Sequence, residues 1–400
     1  MIRRPRMRFG RDVYVVAFSR LISELGDEMS FIALLFRVKD RGSGAVAGLF
    51  ACGALARIAL APLAGSIVDR FPTRSLIRWV SVGQASLCIA LTQVDGLAIY
   101  PLVLVLALGG SIVNPAWQAF IPTAVSTDDY PRVLAVLQSY RSLAMVGGAS
   151  IGGLVVDALG VDAALLIDGA TFLAVMLLTF ALVHNRVVEG ARIERRTAMR
   201  GFRVLFENRL LRALLVMLSV FNLCIGVIEV VGVFLVTDIL GGSATTYGAV
   251  NLCFGASMFL SGHVLSRWKP RMDKTRIVVA SAVVAASGVV MYGFAPVVWV
   301  CGFAMVVNGI GMSGLNVYMM PIMVDNTLDA ERGRVLAASG SITQFGFLVS
   351  LSLAGVAGKI WSPRVLIVIG GIACLLSIVV NGRTALRAQR AVRPMLLDAP

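Results

Sequence analysis

Long apolar runs separated by short basic or small-residue gaps fill this chain from end to end. A helix crossing a bilayer core of about 30 Å needs about 20 apolar residues. Twelve segments meet that requirement: 13–36, 45–68, 75–94, 98–124, 133–157, 163–184, 209–237, 245–267, 276–295, 297–323, 333–358 and 364–382. The longest gap, 185–208, is Arg-rich and separates two sets of six. The pattern predicts an all-α polytopic membrane protein with twelve transmembrane helices in two pseudo-symmetric six-helix bundles. The expected division is 1–184 for the first bundle, 185–208 for a cytoplasmic linker, 209–383 for the second bundle and 384–400 for a basic tail. The first run follows several arginines, as a secretion signal would. It continues through Arg20, Glu24, Asp27 and Glu28 to about Phe36 with no small-residue cleavage site, so it reads as a retained helix.

Charge gives the runs an orientation. Of the 36 Lys and Arg residues, 28 fall in alternate gaps, beginning with Arg3, Arg4, Arg6, Arg8 and Arg11 and continuing around Arg70, Arg132, Arg195, Lys269, Arg332 and Arg387. Five lie in the remaining gaps (Arg37, Lys39, Arg41, Lys359, Arg364) and three inside spans (Arg20, Arg57, Arg141). Basic residues stay in the cytoplasm during insertion, so both termini are expected there. Composition agrees: 58% of residues are hydrophobic, 14% are charged and mean hydropathy is +0.85, too apolar for a soluble domain. The net charge of +14 is dispersed over seven membrane-flanking stretches rather than gathered on one face. That excludes nucleic acid as a partner and favours attraction to anionic membrane lipid.

The two sets of spans are related in sequence. Gly109, Ser111 and Asn114 recur 202 residues later as Gly311, Ser313 and Asn316. The run Arg132-Val-Leu-Ala135 recurs at the same offset as Arg334-Val-Leu-Ala337, followed by Ser139/Ser341 and Gly153/Gly355. Parallel six-span halves of this kind place a substrate site at their interface near the bilayer midplane.

After the second span the chain reads Gly65-Ser-Ile-Val-Asp69-Arg70-Phe-Pro72-Thr73-Arg74. This resembles the G-x-x-x-D-R-x-G-R-[RK] loop of the major facilitator superfamily, with Pro72 and Thr73 departing from it. The resemblance implies that Gly65, Asp69, Arg70 and Arg74 form a conformational switch loop; simple positive-inside anchoring is the other reading of Arg70, Arg74 and Arg78. A narrower resemblance is to the branch holding the enterobactin exporter and macrolide efflux proteins. It is carried by Ser23-Glu-Leu-Gly26-Asp27, by Asn114-Pro115-Ala116 through Pro122, and by Arg332-Gly-Arg-Val335. The fifth span holds Gly148, Gly152 and Gly153 in a motif that resembles the G-P-x-x-G-G of export antiporters but lacks its proline. What the resemblance implies is a secondary transporter of a bacterial cytoplasmic membrane, working as a monomer. It would exchange a small amphipathic molecule such as a drug, antibiotic or siderophore for protons.

Charges inside spans are costly, about 2.5–3.5 kcal/mol each at a helix centre on insertion scales, and mark functional sites by default. Arg20, Glu24, Asp27 and Glu28 share one face of the first span, with Glu24 to Glu28 near mid-depth. Arg57, Arg141 and Glu229 are further deep charges, and Asp157 and Asp168 are expected nearer the outer ends of their spans. One deep carboxylate is left over after pairing, and an unpaired carboxylate in a low-dielectric site holds its proton to a higher pH. Asp27, Glu24 and Glu229 are therefore the proton-coupling candidates. Arg20, Glu28, Arg57 and Arg141 are their charge partners, with Arg57 placed to neutralise Asp27 or Glu28, or to meet an anionic substrate.

Polar cavity candidates are Asn114, Gln138, Asn222, Asn316 and Gln344, together with Trp117, Asn251 and Asn308. Interhelical hydrogen bonding is the alternative role of each. All six cysteines lie in apolar spans without a C-x-x-C pair, and the two histidines, His184 and His263, are far apart in the chain, so no metal site is expected. No P-loop and no nucleophile–base constellation occurs, which argues against ATP-driven transport, a cofactor or an enzyme. The rival readings are an importer or uniporter of an anion, and a non-transporting membrane sensor or scaffold on the same fold.

Overall fold

The computed structural model describes residues 10–125, 129–184, 198–267, 272–328 and 331–389, and every regular element among them is helical. In chain order these are α1 (Arg11–Val38), α2 (Ser43–Val68), α3 (Thr73–Thr92), α4 (Ile99–Ala124), α5 (Tyr130–Leu159), α6 (Val161–Leu178) and α7 (Ala198–Glu207). They are followed by α8 (Arg209–Phe234), α9 (Ala244–Arg267), α10 (Lys274–Phe294), α11 (Val298–Asp325), α12 (Arg332–Ala357) and α13 (Pro363–Ser377). The basic clusters at 1–9, 185–197, 268–271 and 390–400, Lys269 and Arg195 among them, lie outside the described residues.

Each expected span coincides with one helix. Among the described residues eleven helices are long and apolar enough to cross a membrane, α2 to α6 and α8 to α13. The exception is α1, which has the length but carries Arg20, Glu24, Asp27 and Glu28 in its middle. The gap 185–208, expected as a linker, contains helix α7. Its Leu205 is fully buried and Phe202 packs on the same core, while Arg203 and Glu207 pair at i,i+4 on the open side at 2.7 Å. Charges concealed this short amphipathic period in the sequence.

The chain divides into two compact units, one comprising 1–37 and 52–192, the other 38–51 and 193–400. Helix α2 contributes to both. In the first unit α3 packs along α4 and α6, and α5 on α6. A core of Val13, Val16, Trp117, Phe120, Val133 and Leu137 ties α1 to α4 and α5. Trp117, a cavity candidate from sequence, is 2% exposed and stacks edge-on against Phe120 at 6.2 Å; it is a core residue. In the second unit α10 packs on α11 and α13, α9 on α11, and α8 on α12 and α13. Asn308 is likewise buried and donates to the Ala285 carbonyl at 2.9 Å, joining α11 to α10. In lipid a side-chain amide between helices is held this way because no water competes for it.

Helix ends follow local chemistry. Asn208 caps α8 by accepting from the backbone of Leu210 and Leu211 at 3.0 and 3.3 Å. Ser362 accepts from Val365 N and precedes Pro363 at the first position of α13. Pro115 and Pro122 within α4 and Pro321 within α11 interrupt backbone bonding without ending their helices.

Candidate functional site

The middle of α1 organises the polar interior of the first unit. Arg20 donates to Glu24 Oε1 at 3.1 Å, one turn along the helix, and Arg141 from α5 reaches Glu24 Oε2 at 3.6 Å. The Arg20 and Glu24 side chains are 11% and 17% exposed, and Arg141 is 51% exposed. Glu24 thus lies between two cations, and the triplet keeps one net positive charge. The Arg20 Nε is buried and has no hydrogen-bond partner.

Helix α5 reaches α1 because its contacting face is bare. A Cβ on Gly148 would fall 2.6 Å from Glu28 Cβ, and one on Gly152 would fall 2.9 Å from Met29 Cα. This is the small-xxx-small spacing by which membrane helices approach closely. Arg141, Gly148 and Gly152 share a face of α5, so the glycine motif sets the register that brings Arg141 to Glu24. Gly153 is buried beside them.

Asp27 sits differently. It is exposed, and no hydrogen bond or ion pair to it occurs among the described residues. The charges around it are all carboxylates, Asp168 foremost, then Glu28 and Glu24. Arg57 forms no ion pair with Asp27: it is exposed, and its guanidinium lies back along its own helix over Gly53. A charge that met hydrocarbon would be expelled, so an exposed ion or amide within a span faces an aqueous vestibule. By that criterion Asp27, Arg57, Asn114, Gln138 and Arg141 mark the wet side of the first unit, and Asn316 that of the second.

Asp168, which the sequence places nearer the outer end of its span, is fully buried halfway along α6. Ser30 Oγ from α1 donates to its Oδ2 at 2.5 Å, Thr171 Oγ1 donates to its backbone carbonyl at 2.8 Å and lies 3.2 Å from Oδ1, and Cys88 Sγ from α3 lies 3.6 Å from Oδ2. Gly26 of α1 is pressed against Asp168 and Thr171 so closely that a Cβ there would collide with both. A lone Asp in the run Leu165-Leu166-Ile167-Asp168-Gly169 was the available signal; its partners, from two other helices, were not readable from spacing.

In the second unit Glu229 is half-buried on α8 beside the phenols of Tyr247 and Tyr292. Tyr292 donates to the Gly232 carbonyl at 3.3 Å. Asn222 and Asn251 bond to carbonyls of their own helices, Asn316 lies 3.8 Å from Met258 Sδ, and Gln344 Nε2 is buried without a partner. The repeated residues hold equivalent places: Gly109 of α4 abuts Gln84 of α3, Gly311 of α11 abuts Ala285 of α10, and Asn114 and Asn316 are both exposed.

Of the switch-loop residues, Gly65 lies in α2, while Asp69 and Arg70 form the turn that leads to α3. Arg74 is half-buried in the first turn of α3. One turn on, Arg78 stacks on Phe180 at 3.7 Å and donates to Thr179 Oγ1 at 2.7 Å, holding α3 to the end of α6. Among the described residues no group of His, Cys, Asp and Glu could hold a metal ion.

The family profile described as Major Facilitator Superfamily matches residues 16–272 and 227–393 of this chain. The uncharacterized MFS-type transporter YvqJ of Bacillus subtilis (strain 168) is 23% identical over 380 residues, covering 90% of this chain and 89% of that protein. The uncharacterized MFS-type transporter y4rN of Sinorhizobium fredii (strain NBRC 101917 / NGR234) is 24% identical, with 86% and 88% covered. Among solved structures, a variant of the nucleoside transporter NupG has a TM-score of 0.72 at 13% identity, over 93% of this chain and 98% of that one. A bacterial homolog of the human lysosomal transporter Spinster has a TM-score of 0.70 at 11% identity, over 96% and 99%. At these identities the solved structures speak for the fold.

Proposed function

This chain belongs to the Major Facilitator Superfamily, a multi-pass membrane transporter and no enzyme, and from that premise we propose that it is a proton-coupled exporter working by alternating access. Its cargo is a small amphipathic molecule such as a drug, antibiotic or siderophore, as in the branch of enterobactin and macrolide exporters that the first span resembles. Helix α1 serves as the twelfth span: its 28 residues exceed the bilayer requirement, and its charges turn inward. The Arg-rich gaps put both termini in the bacterial cytoplasm, and the protein functions as a monomer.

The observation that carries the reading is the contrast between neighbouring carboxylates on α1. Glu24 is occupied by Arg20 and Arg141 and serves as their counter-ion. Asp27 faces water with only like charges around it, so it is the group free to bind a proton and give it up. Asp27 releases its proton as substrate enters from the cytoplasm and rebinds one as substrate leaves. Glu229 is the corresponding candidate of the second unit.

The test uses inside-out vesicles with an imposed pH gradient and ethidium, erythromycin and enterobactin as probes. Uptake of one of them should draw on the gradient and release protons, and Asp27→Asn should cut gradient-driven uptake at least about tenfold while sparing downhill exchange. Equal uptake with and without the gradient, together with an Asp27→Asn variant that changes nothing, would sink proton coupling through Asp27. The exposure of Arg57, which has no ion-pair partner among the described residues, favours a second reading, import of an organic anion. Gradient-independent uptake of succinate, lost in Arg57→Gln, would select it.

A further inference from the structure

A buried carboxylate with no cation beside it is an expense that a membrane protein ordinarily avoids. Asp168 is such a group: fully buried, met by Ser30, Thr171 and Cys88, and forming no ion pair among the described residues. Three residues of α1 frame it. Gly26 gives the close approach, Asp27 carries the vestibule carboxylate, and Ser30 supplies the donor to Oδ2.

The second unit contains the same crossing without the charge. There α13 meets α8 at Gly370, where a Cβ would lie 2.6 Å from Cys224 Sγ, and α10 at Gly371, where a Cβ would lie 2.6 Å from a Val290 methyl. Gly370 and Gly371 stand at the 202-residue offset from Asp168 and Gly169, and Val290 stands at that offset from Cys88. Ala373 likewise replaces Thr171. A three-helix crossing of this shape therefore packs with small and apolar residues alone. Packing does not require Asp168.

We propose that Asp168 is a positioning residue for the proton site, tying the charge on Asp27 to the seating of α1 against α6 through Ser30 and the bare backbone at Gly26. The proposal rests on Asp27 as the proton carrier. With a proton on Asp27, α1 lies on Asp168 as in the structure. When that proton leaves for the vestibule, two like charges face each other in a low-dielectric setting, and the stretch 26–30 is pushed from α6 at the cost of the Ser30–Asp168 bond. The groups facing this pair are Glu24 and Glu28 from α1, Cys88 from α3 and Thr171 from α6; Arg141 from α5 is engaged on Glu24. Loss of a proton at one carboxylate is thereby converted into movement of a helix.

The test needs no substrate. A water-soluble carbodiimide with an amine nucleophile modifies water-accessible carboxyls in their protonated form, and peptide mass spectrometry of the full-length protein in lipid nanodiscs reads modification of Asp27 against pH. Asp168→Asn should move the midpoint of Asp27 modification to lower pH by about one unit, a tenfold change in proton affinity, because the repelling charge is gone. Ser30→Ala should move it less in the same direction, since an Asp168 with fewer donors holds its charge less firmly. Thermal unfolding identifies a variant that has lost its fold, and Ser30→Ala then carries the test. An unchanged midpoint in both variants overturns the positioning role and leaves Asp27 as proton carrier. No modification of wild-type Asp27 at any pH overturns both readings.

Discussion

The junction of α1, α3 and α6 and the junction of α8, α10 and α13 pose the same packing problem and solve it with different chemistry. In the first, Gly26 on α1 admits Asp168, and Ser30, Cys88 and Thr171 surround the carboxylate. In the second the glycine is on the other partner: Gly370 of α13 admits Cys224 of α8, with Val290 and Ala373 where the first unit has Cys88 and Thr171. Close approach is common to both, since only a missing side chain lets backbones meet at this distance in lipid. Charge is confined to one. The second junction therefore acts as a passive bearing, and the first can respond to a proton.

The severest way to break that asymmetry is to move the charge. Gly370→Asp inserts a carboxylate against Cys224, and an unpaired buried charge costs about 3–5 kcal/mol. The expected outcome is a large fall in the thermal unfolding temperature of the purified protein, partly recovered when Val290→Cys and Ala373→Thr restore donors. A Gly370→Asp variant as stable as wild type would mean that the second junction tolerates charge and that the contrast is accidental.

A milder perturbation compares the neighbouring crossings. Gly148 of α5 meets Glu28, while its counterpart Ser350 of α12 meets Gly226 and donates to the Leu223 carbonyl. Gly148→Ala overpacks α5 against the Glu28 Cβ of α1 and should cost about 1–3 kcal/mol. It should also weaken the Arg141–Glu24 contact, read as lost transport with probe binding retained. Ser350→Ala removes one interhelical bond, worth about 0.6 kcal/mol on average in membranes, and should leave transport near wild type. Equal losses from the two substitutions would show that the two crossings bear the same load.

How much of this was legible in the sequence depends on whether a feature is local. Span positions were readable because each rests on the hydropathy of one continuous run, and α1 stood out because its four charges share a face. The neutralisation of Glu24 was half legible: Arg20 is one turn away, but Arg141 arrives on another helix through a register set by Gly148 and Gly152. Charge balance leaves Arg57 open between a carboxylate partner and an anionic substrate, and only its placement on α2, with the guanidinium over Gly53, separates it from Asp27. Asp168 stands out in the sequence only as a lone charge in an apolar run, since its donors Ser30 and Cys88 lie far away in the chain and only the fold assembles them. For Trp117 and Asn308 the sequence leaves a cavity and a helix contact both open, because polarity in a span marks either, and burial separates the two: Trp117 is a core residue and Asn308 makes the interhelical bond.

A pH-dependent effect belongs to a charge at the N-terminal end of α1. Asp12 is 3% exposed and accepts from the backbone of Val183 and His184 at 2.9 and 3.0 Å, with the His184 Nδ1 at 2.7 Å. Burial pushes its carboxyl upward, but the two backbone donors and the imidazole together outweigh that and hold it below the ordinary aspartate value. The second unit has no such carboxylate at the start of α8, where the neutral Asn208 caps the helix. A carboxyl whose folded pKa is depressed stabilises the fold above its unfolded value, and that contribution is lost as pH falls through the folded one. Asp12→Asn should therefore lower stability by on the order of 1 kcal/mol at pH 7, where a charge-assisted acceptor is replaced by a neutral one. The gap between wild type and variant should close as the pH is taken below the usual aspartate range. Thermal unfolding of the two proteins from pH 7 to pH 3 measures it, and a gap that stays constant across that range would mean that the Asp12 charge contributes nothing to joining α1 to the segment after α6.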